Sequence, residues 1–224
     1  EQVRQLAQVI ANFHQKAEII KVQPDIDKMQ TLFADIRQVE AALQTQLGAK
    51  ATYKLQSWIA FSAEFLSAHA RHILKRHTQG FTNDGHGDLH VGNIFLLDPP
   101  VLFDCIEFDD TLRQVDVLSE LAFLSMDFDF YGRSDLADLL LEAYHEANPC
   151  LLTAEDGTLF LYYKFYRANI RLKTNALKAT QAPSIQENRK RLVWVEDYYW
   201  LMNHYANLLL NAFYLPDRAA EMPY

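Results

Sequence analysis

A chain of 224 residues, 50% of them apolar and 22% charged, is long enough to bury a core of its own. Its 21 Lys plus Arg against 29 Asp plus Glu leave a net charge of −8, which argues against a generally basic, nucleic-acid-seeking surface. No low-complexity tract, apolar run of membrane-spanning length or opening signal segment occurs, so no fibrous, disordered, membrane-spanning or exported protein is expected. The two cysteines, Cys105 and Cys150, form no disulfide framework, and the expected setting is a reducing cytoplasm. The chain opens on Glu1 in a segment that is already helical, and it reads as a fragment of something longer.

Leu6, Val9, Ile10, Phe13, Ala17 and Ile20 recur every three or four residues ahead of Pro24, predicting a first helix that ends near Val22. Asp27 is the expected cap of a second, with Met29, Leu32, Phe33, Ile36, Val39, Leu43 and Leu47 on one stripe and Gly48 as its stop. A third is expected from about Thr52 to His77. Four of the seven glycines then fall between Gly80 and Gly92, ahead of Ile94-Phe-Leu-Leu97, Asp98-Pro-Pro100 and Val101-Leu-Phe103. That order reads as loop, strand, turn, strand, a small β-hairpin. The helical period returns from Gln114, and Ser134 is the expected cap of a helix to about Ala147. Thr153 with Asp156, and Ser184 with Glu187, match the capping-box pattern and predict long helices over residues 155 to 179 and 185 to 213.

Residues 84 to 135 hold twelve acids against Arg113 and Arg133, a balance of −10 that leaves +2 for the rest of the chain. Several of these acids lie in the Gly-rich loops, where carboxylates suit a divalent cation or a cationic substrate better than a solvated helix face does. If Ile94 to Leu97 pairs with Val101 to Phe103, Asn93 and Asp104 should flank the open end of the hairpin, about 5 Å apart. An amide oxygen and a carboxylate so placed suit Mg²⁺, which completes its shell with water and substrate phosphates. Asp88 lies in the same loop, facing whatever the metal holds.

His86-Gly-Asp-Leu-His-Val-Gly-Asn93 matches the kinase catalytic-loop pattern H-R-D-L-x-x-x-N except for Gly87 in place of Arg, with Asp104 following where a second metal-binding Asp is needed. The run HGDLHVGNIFLLDPPVLFDCIEFDD resembles the catalytic core of aminoglycoside phosphotransferase-like kinases, a group related to choline kinases and, distantly, to protein kinases. LRQVDVLSELAFLSMDFD and YYKFYRANIRLK look like the bacterial branch of that group, often fused to a P-loop kinase-like ATP-binding domain. The resemblance implies a mainly helical α+β domain over residues 1–224, the C-terminal lobe of such a kinase. Its small β-hairpin would follow the catalytic loop. Carried over residue by residue, Asp88 would be the catalytic base or hydroxyl-orienting carboxylate, and Asn93 and Asp104 would hold Mg²⁺ on ATP. His86 would brace the loop, His90 would support the loop or touch substrate, and Asp116 would tie the loop down. Arg113 and Glu107 are weaker candidates.

The implied reaction is ATP-dependent phosphorylation of a hydroxyl on a small molecule, with Asp127 and Asp129 as candidates for the pocket of a cationic acceptor. No G-x-G-x-x-G run, phosphate-pairing Lys on a strand or P-loop is present, so the nucleotide-covering lobe is absent from this chain. A non-catalytic, pseudokinase-like binding or regulatory module is therefore a rival reading. A metal-dependent hydrolase using His86, Asp88 and His90 is another. Lys164, Arg167, Arg171 and Lys178 form a basic stripe whose default reading is a solvated face. The aromatic residues near Tyr162 and Tyr198 read as core.

Overall fold

The computed structural model of the chain describes residues 1–214. In chain order the elements are α1 (Gln2–Lys16), α2 (Ile26–Ala34), a 3₁₀ segment (Asp35–Val39), α3 (Glu40–Leu47) and α4 (Ala49–Thr78). Next come β1 (Thr82–Asp84), a 3₁₀ turn (Val91–Asn93), β2 (Ile94–Phe95), β3 (Val101–Leu102), α5 (Asp110–Arg113) and β4 (Gln114–Asp116). Helices α6 (Val117–Phe130), α7 (Ser134–Ala147), α8 (Ala154–Thr180) and α9 (Ile185–Tyr214) follow. The fold is α+β and mostly helical, as the sequence predicts, with two small antiparallel sheets. Among the described residues no helix is long and apolar enough to cross a membrane.

Two compact units divide the chain. The first comprises Glu1–Pro24 and His72–Lys164, and the second Asp25–Arg71 and Phe165–Tyr214. The second is a helical unit built on aromatic residues: Phe33 lies 5.0 Å from Phe165, and Trp58 lies 5.2 Å from Tyr199, between ring centroids. Its α2 is capped by Asp25, which accepts from Lys28 N–H, and not by the expected Asp27. The predicted continuous second helix is instead broken by the 3₁₀ segment. At three residues per turn, Phe33, Ile36 and Val39 fall in one line, and all three are buried.

The first unit carries the loop at issue. Its core lies where α1 and α6 pack on α7, through Leu6, Ile10, Leu118, Leu121, Leu140 and Tyr144. Helix α1 ends six residues before the expected Val22. The chain is extended there because Ile20 N–H bonds to Thr82 O and Asp84 N–H to Glu18 O, against β1. On its other side β1 pairs with β4, Thr82 opposite Asp116. Residues 114 to 116 are thus a strand and not the start of a helix, and α6 begins only after them.

Arg76, 1% exposed, fixes that beginning. Its Nε and Nη2 donate to Asp116 at 2.7 and 2.9 Å, and its Nη1 to Asp156 at 2.7 Å and to Cys150 O at 2.9 Å. Asp116 also caps α6 by accepting Leu118 N–H at 2.8 Å. Asp156 closes the predicted capping box at the head of α8, accepting from Thr153 N–H at 2.8 Å while its own N–H reaches Thr153 Oγ1. Burial works against the Arg76 charge, yet Asp116 and Asp156 raise the guanidinium further above its ordinary value. Burial would likewise push Asp156 up, but Arg76, Leu152 N–H and His72 hold it down at about 2.

Removing the cation would strand two buried carboxylates, so Arg76→Ala should cost about 3–5 kcal/mol in urea unfolding, and a loss below about 1 kcal/mol would refute the network's importance. The depressed Asp156 stabilises the fold above its unfolded value near 4, and that contribution disappears as pH falls through about 2. Unfolding free energies measured between pH 5 and 2 should therefore fall by about 2 kcal/mol less in Asp156→Asn than in the native chain.

Candidate active site

The loop after β1 passes its neighbours so closely that positions 85 and 87 have no room for a side chain. A Cβ on Gly85 would lie 2.6 Å from Glu120 Oε2. Gly87 has φ +80°, and its Cβ would meet Arg113 Cβ at 2.9 Å, so the position that is Arg in the kinase pattern accepts only Gly here. The backbone is held from below: Gly87 N–H donates to Glu120 Oε1. Glu120 is 1% exposed and bonded through Oε2 to His14 Nε2 at 2.8 Å, and His14 Nδ1 meets Tyr144 Oη at 2.8 Å. Burial would raise Glu120, but the His14 hydrogen bond and charge, with the Gly87 and His86 amides, hold it below the usual carboxylate range.

Asp88 stands on this base with its side chain 40% exposed. Asn93 Nδ2 donates to Asp88 O at 3.0 Å and approaches Asp88 Oδ2 at 3.3 Å, an orientation set by two acceptors that both require the nitrogen. The Asn93 amide oxygen is then left for a cation. His90 Nδ1 accepts Gly92 N–H at 3.0 Å, which places the neutral ring's proton on Nε2, 3.5 Å from Asp88 Oδ2. His86 is buried, donates from Nε2 to Phe103 O at 2.8 Å, receives Asp88 N–H at Nδ1, and accepts Ile106 N–H at its carbonyl. It joins the loop to the segment after the hairpin.

The hairpin forms, with its register one residue from the expected one. Ile94 pairs with Leu102 and Phe95 with Val101, and Phe103 N–H donates to Asn93 O at 3.1 Å. Asn93 therefore faces Phe103, and Asp104 comes one residue later. The reason is the five-residue connection from Leu96 to Pro100, which sets the pairing. Asp104 is exposed and turns the chain at φ 61°, a left-handed conformation that ends the strand. Asn93 and Asp104 are therefore not opposite one another as expected, although an amide oxygen and a carboxylate are donor types that suit a hard divalent cation completing its shell elsewhere. Among the described residues no group of three or more His, Cys, Asp and Glu is arranged to hold a metal ion. The His86-Asp88-His90 ligand set does not form, because both ring nitrogens of His86 are already bonded, one to Phe103 O and the other to Asp88 N–H.

Other expectations are relocated. Asp116 binds Arg76 and caps α6, while the tie to the catalytic loop comes from Glu120. Arg113 pairs with Asp84 at 2.7 Å and Asp110 at 2.6 Å, and Glu107 is exposed. Asp127 is 0% exposed and accepts Val91 N–H at 3.1 Å, and Asp129 pairs with Lys164. Of the basic stripe only Lys178 is exposed: Arg167 is buried and Arg171 bonds to Tyr198 Oη. Tyr162, Tyr163, Tyr198 and Tyr199 are core residues, and Trp200 is exposed. Cys105 and Cys150 are both free thiols.

Glu120, His14 and the loop-holding bond of Asp127 are not among the roles expected from sequence. The available signal was an acid at positions 120 and 127, seven residues apart on one face of a helix and separated by a mostly apolar run.

A model of the phosphotransferase enzyme family (APH) matches residues 1–155. The uncharacterized protein Rv2004c of Mycobacterium tuberculosis is 30% identical over 181 residues, covering 79% of this chain and 35% of that protein. The uncharacterized protein Mb2027c of Mycobacterium bovis matches to the same extent, so the chain spans about a third of the length of these curated relatives. No solved structure gives a significant match. With the family match extending from α1 through the catalytic loop to the head of α8, the chain belongs to the phosphotransferase enzyme family.

Proposed function

We propose that this chain is the C-terminal, catalytic-loop-bearing lobe of a cytoplasmic kinase that transfers the γ-phosphoryl group of ATP to a hydroxyl on a small molecule. The observation that carries the reading is the Asp88–Asn93 pair: one amide nitrogen fixes the exposed carboxylate, and its oxygen is left for a metal ion. Phosphoryl transfer asks mainly for positioning and charge neutralisation, with little covalent work for the protein. Asp88 would accept the hydrogen bond of the acceptor hydroxyl and direct its oxygen toward the phosphorus. Asn93 Oδ1 and Asp104 would hold Mg²⁺, which when bound neutralises charge on the nucleotide phosphates. His90 Nε2–H keeps the Asp88 carboxylate turned toward the opening, and His86 keeps the loop joined to the segment that carries Asp104.

The lobe that covers the nucleotide would come from another part of the native polypeptide, and relatives more than twice this length leave room for it and for a fused ATP-binding domain. Asp127 is engaged by Val91 N–H and Asp129 by Lys164, so these two acids lend no support to a cationic acceptor.

The test is calorimetric titration of Mg·ATP into the full native polypeptide, followed by an acceptor screen. Asp88→Asn should lower turnover at least about 100-fold while Mg·ATP affinity stays within about threefold. Unchanged turnover would remove Asp88 from the mechanism. Asp104→Ala should weaken Mg·ATP binding about tenfold or more, and retained affinity would remove Asp104 from the metal site. A folded native polypeptide that binds no Mg·ATP would favour the non-catalytic module instead.

A further inference from the structure

Helix α6 meets the catalytic loop along a single row of side chains. Glu120 takes Gly87 N–H, the Phe123 ring lies 5.7 Å from the His90 ring, and Asp127 takes Val91 N–H. Positions 120, 123 and 127 are spaced three and four apart, so they lie above one another on one helix face. The two carboxylates straddle Asp88, one at the residue before it and one three residues after it.

The turn that ends in Asn93 has three successive backbone donors. Gly92 N–H goes to His90 Nδ1 and Asn93 N–H to His90 O, both within the loop. Val91 N–H goes instead to Asp127, so this bond ties the turn to the helix. Asp127 is fully buried on a helix whose other buried positions include Leu121, Leu124 and Met126. A buried carboxylate needs hydrogen-bond or charge partners to offset its desolvation, and the Val91 amide is one of them.

We propose that Asp127 is a positioning residue for the metal-holding side of the site: through the Val91 amide it sets where the Asn93 side chain stands relative to Asp88. Glu120 sets the Asp88 side through Gly87, and the rigid spacing of the two acids along α6 holds the distance between the two functions. This rests on the reading of Asn93 as a ligand for Mg·ATP.

The experiment compares native, Asp127→Ala and Asp127→Asn forms of the full polypeptide. Backbone hydrogen exchange is followed by mass spectrometry in peptides covering residues 90–95 and 85–88, beside calorimetry with Mg·ATP. In Asp127→Ala, exchange across 90–95 should quicken about tenfold with 85–88 unchanged, and Mg·ATP affinity should fall about tenfold. Asp127→Asn keeps an acceptor oxygen and should recover most of both. Unchanged exchange at 90–95, faster exchange with unchanged affinity, or an Asn variant as impaired as the Ala variant would each overturn the assignment. So would loss of helical circular dichroism in both variants, which would make Asp127 a requirement of the fold. Failure of the native protein to bind Mg·ATP would be seen without any substitution, and would overturn the kinase reading and this inference together.

Discussion

An arginine taken out of water needs its charge matched and its donors bonded, and Arg76 meets both needs with Asp116, Asp156 and the Cys150 carbonyl. Each carboxylate also orders a helix start, Asp116 at α6 and Asp156 at α8. The guanidinium therefore sets where those helices begin relative to the end of α4. Helices with capped, ion-paired starts have little freedom to slide, and α6 is the one beneath the catalytic loop.

The loop is held to α6 by backbone groups bonded to buried acids. Glu120, Phe123 and Asp127 touch it at three points along one helix face. This arrangement leaves the Asp88 carboxylate facing outward, and it accounts for the glycines: Gly85 and Gly87 allow the backbone to approach the Glu120 oxygens and the Arg113 backbone. Sequence, packing and the proposed chemistry meet at this contact between loop and helix.

Much of the fold was legible from periodicity. The stripes and capping boxes located α4, α8 and α9 to within a few residues, because long amphipathic segments repeat the same signal many times. Strands β1 and β4 were not legible, since three residues carry too little alternation to stand out, and their pairing joins segments about thirty residues apart. The extended residues after α1 were missed for the same reason, their conformation being set by a neighbouring strand. Asp88 and Asn93 could be read from spacing because one short loop contains both. The position of Asp104 depended on hairpin register, which the connecting turn decides, and Glu120 and His14 become neighbours only when α1 and α6 both pack against α7.

The glycine at position 87 bears on regulation. In kinases switched by phosphorylation, a mobile segment is ordered when its new phosphate meets arginines. Here the backbone at 87 is left-handed and the space above it is filled by Arg113, whose own charge is engaged by Asp84 and Asp110. No cation at 87 can receive such a phosphate. The loop takes its shape from packing and buried hydrogen bonds, and needs no phosphate to order it.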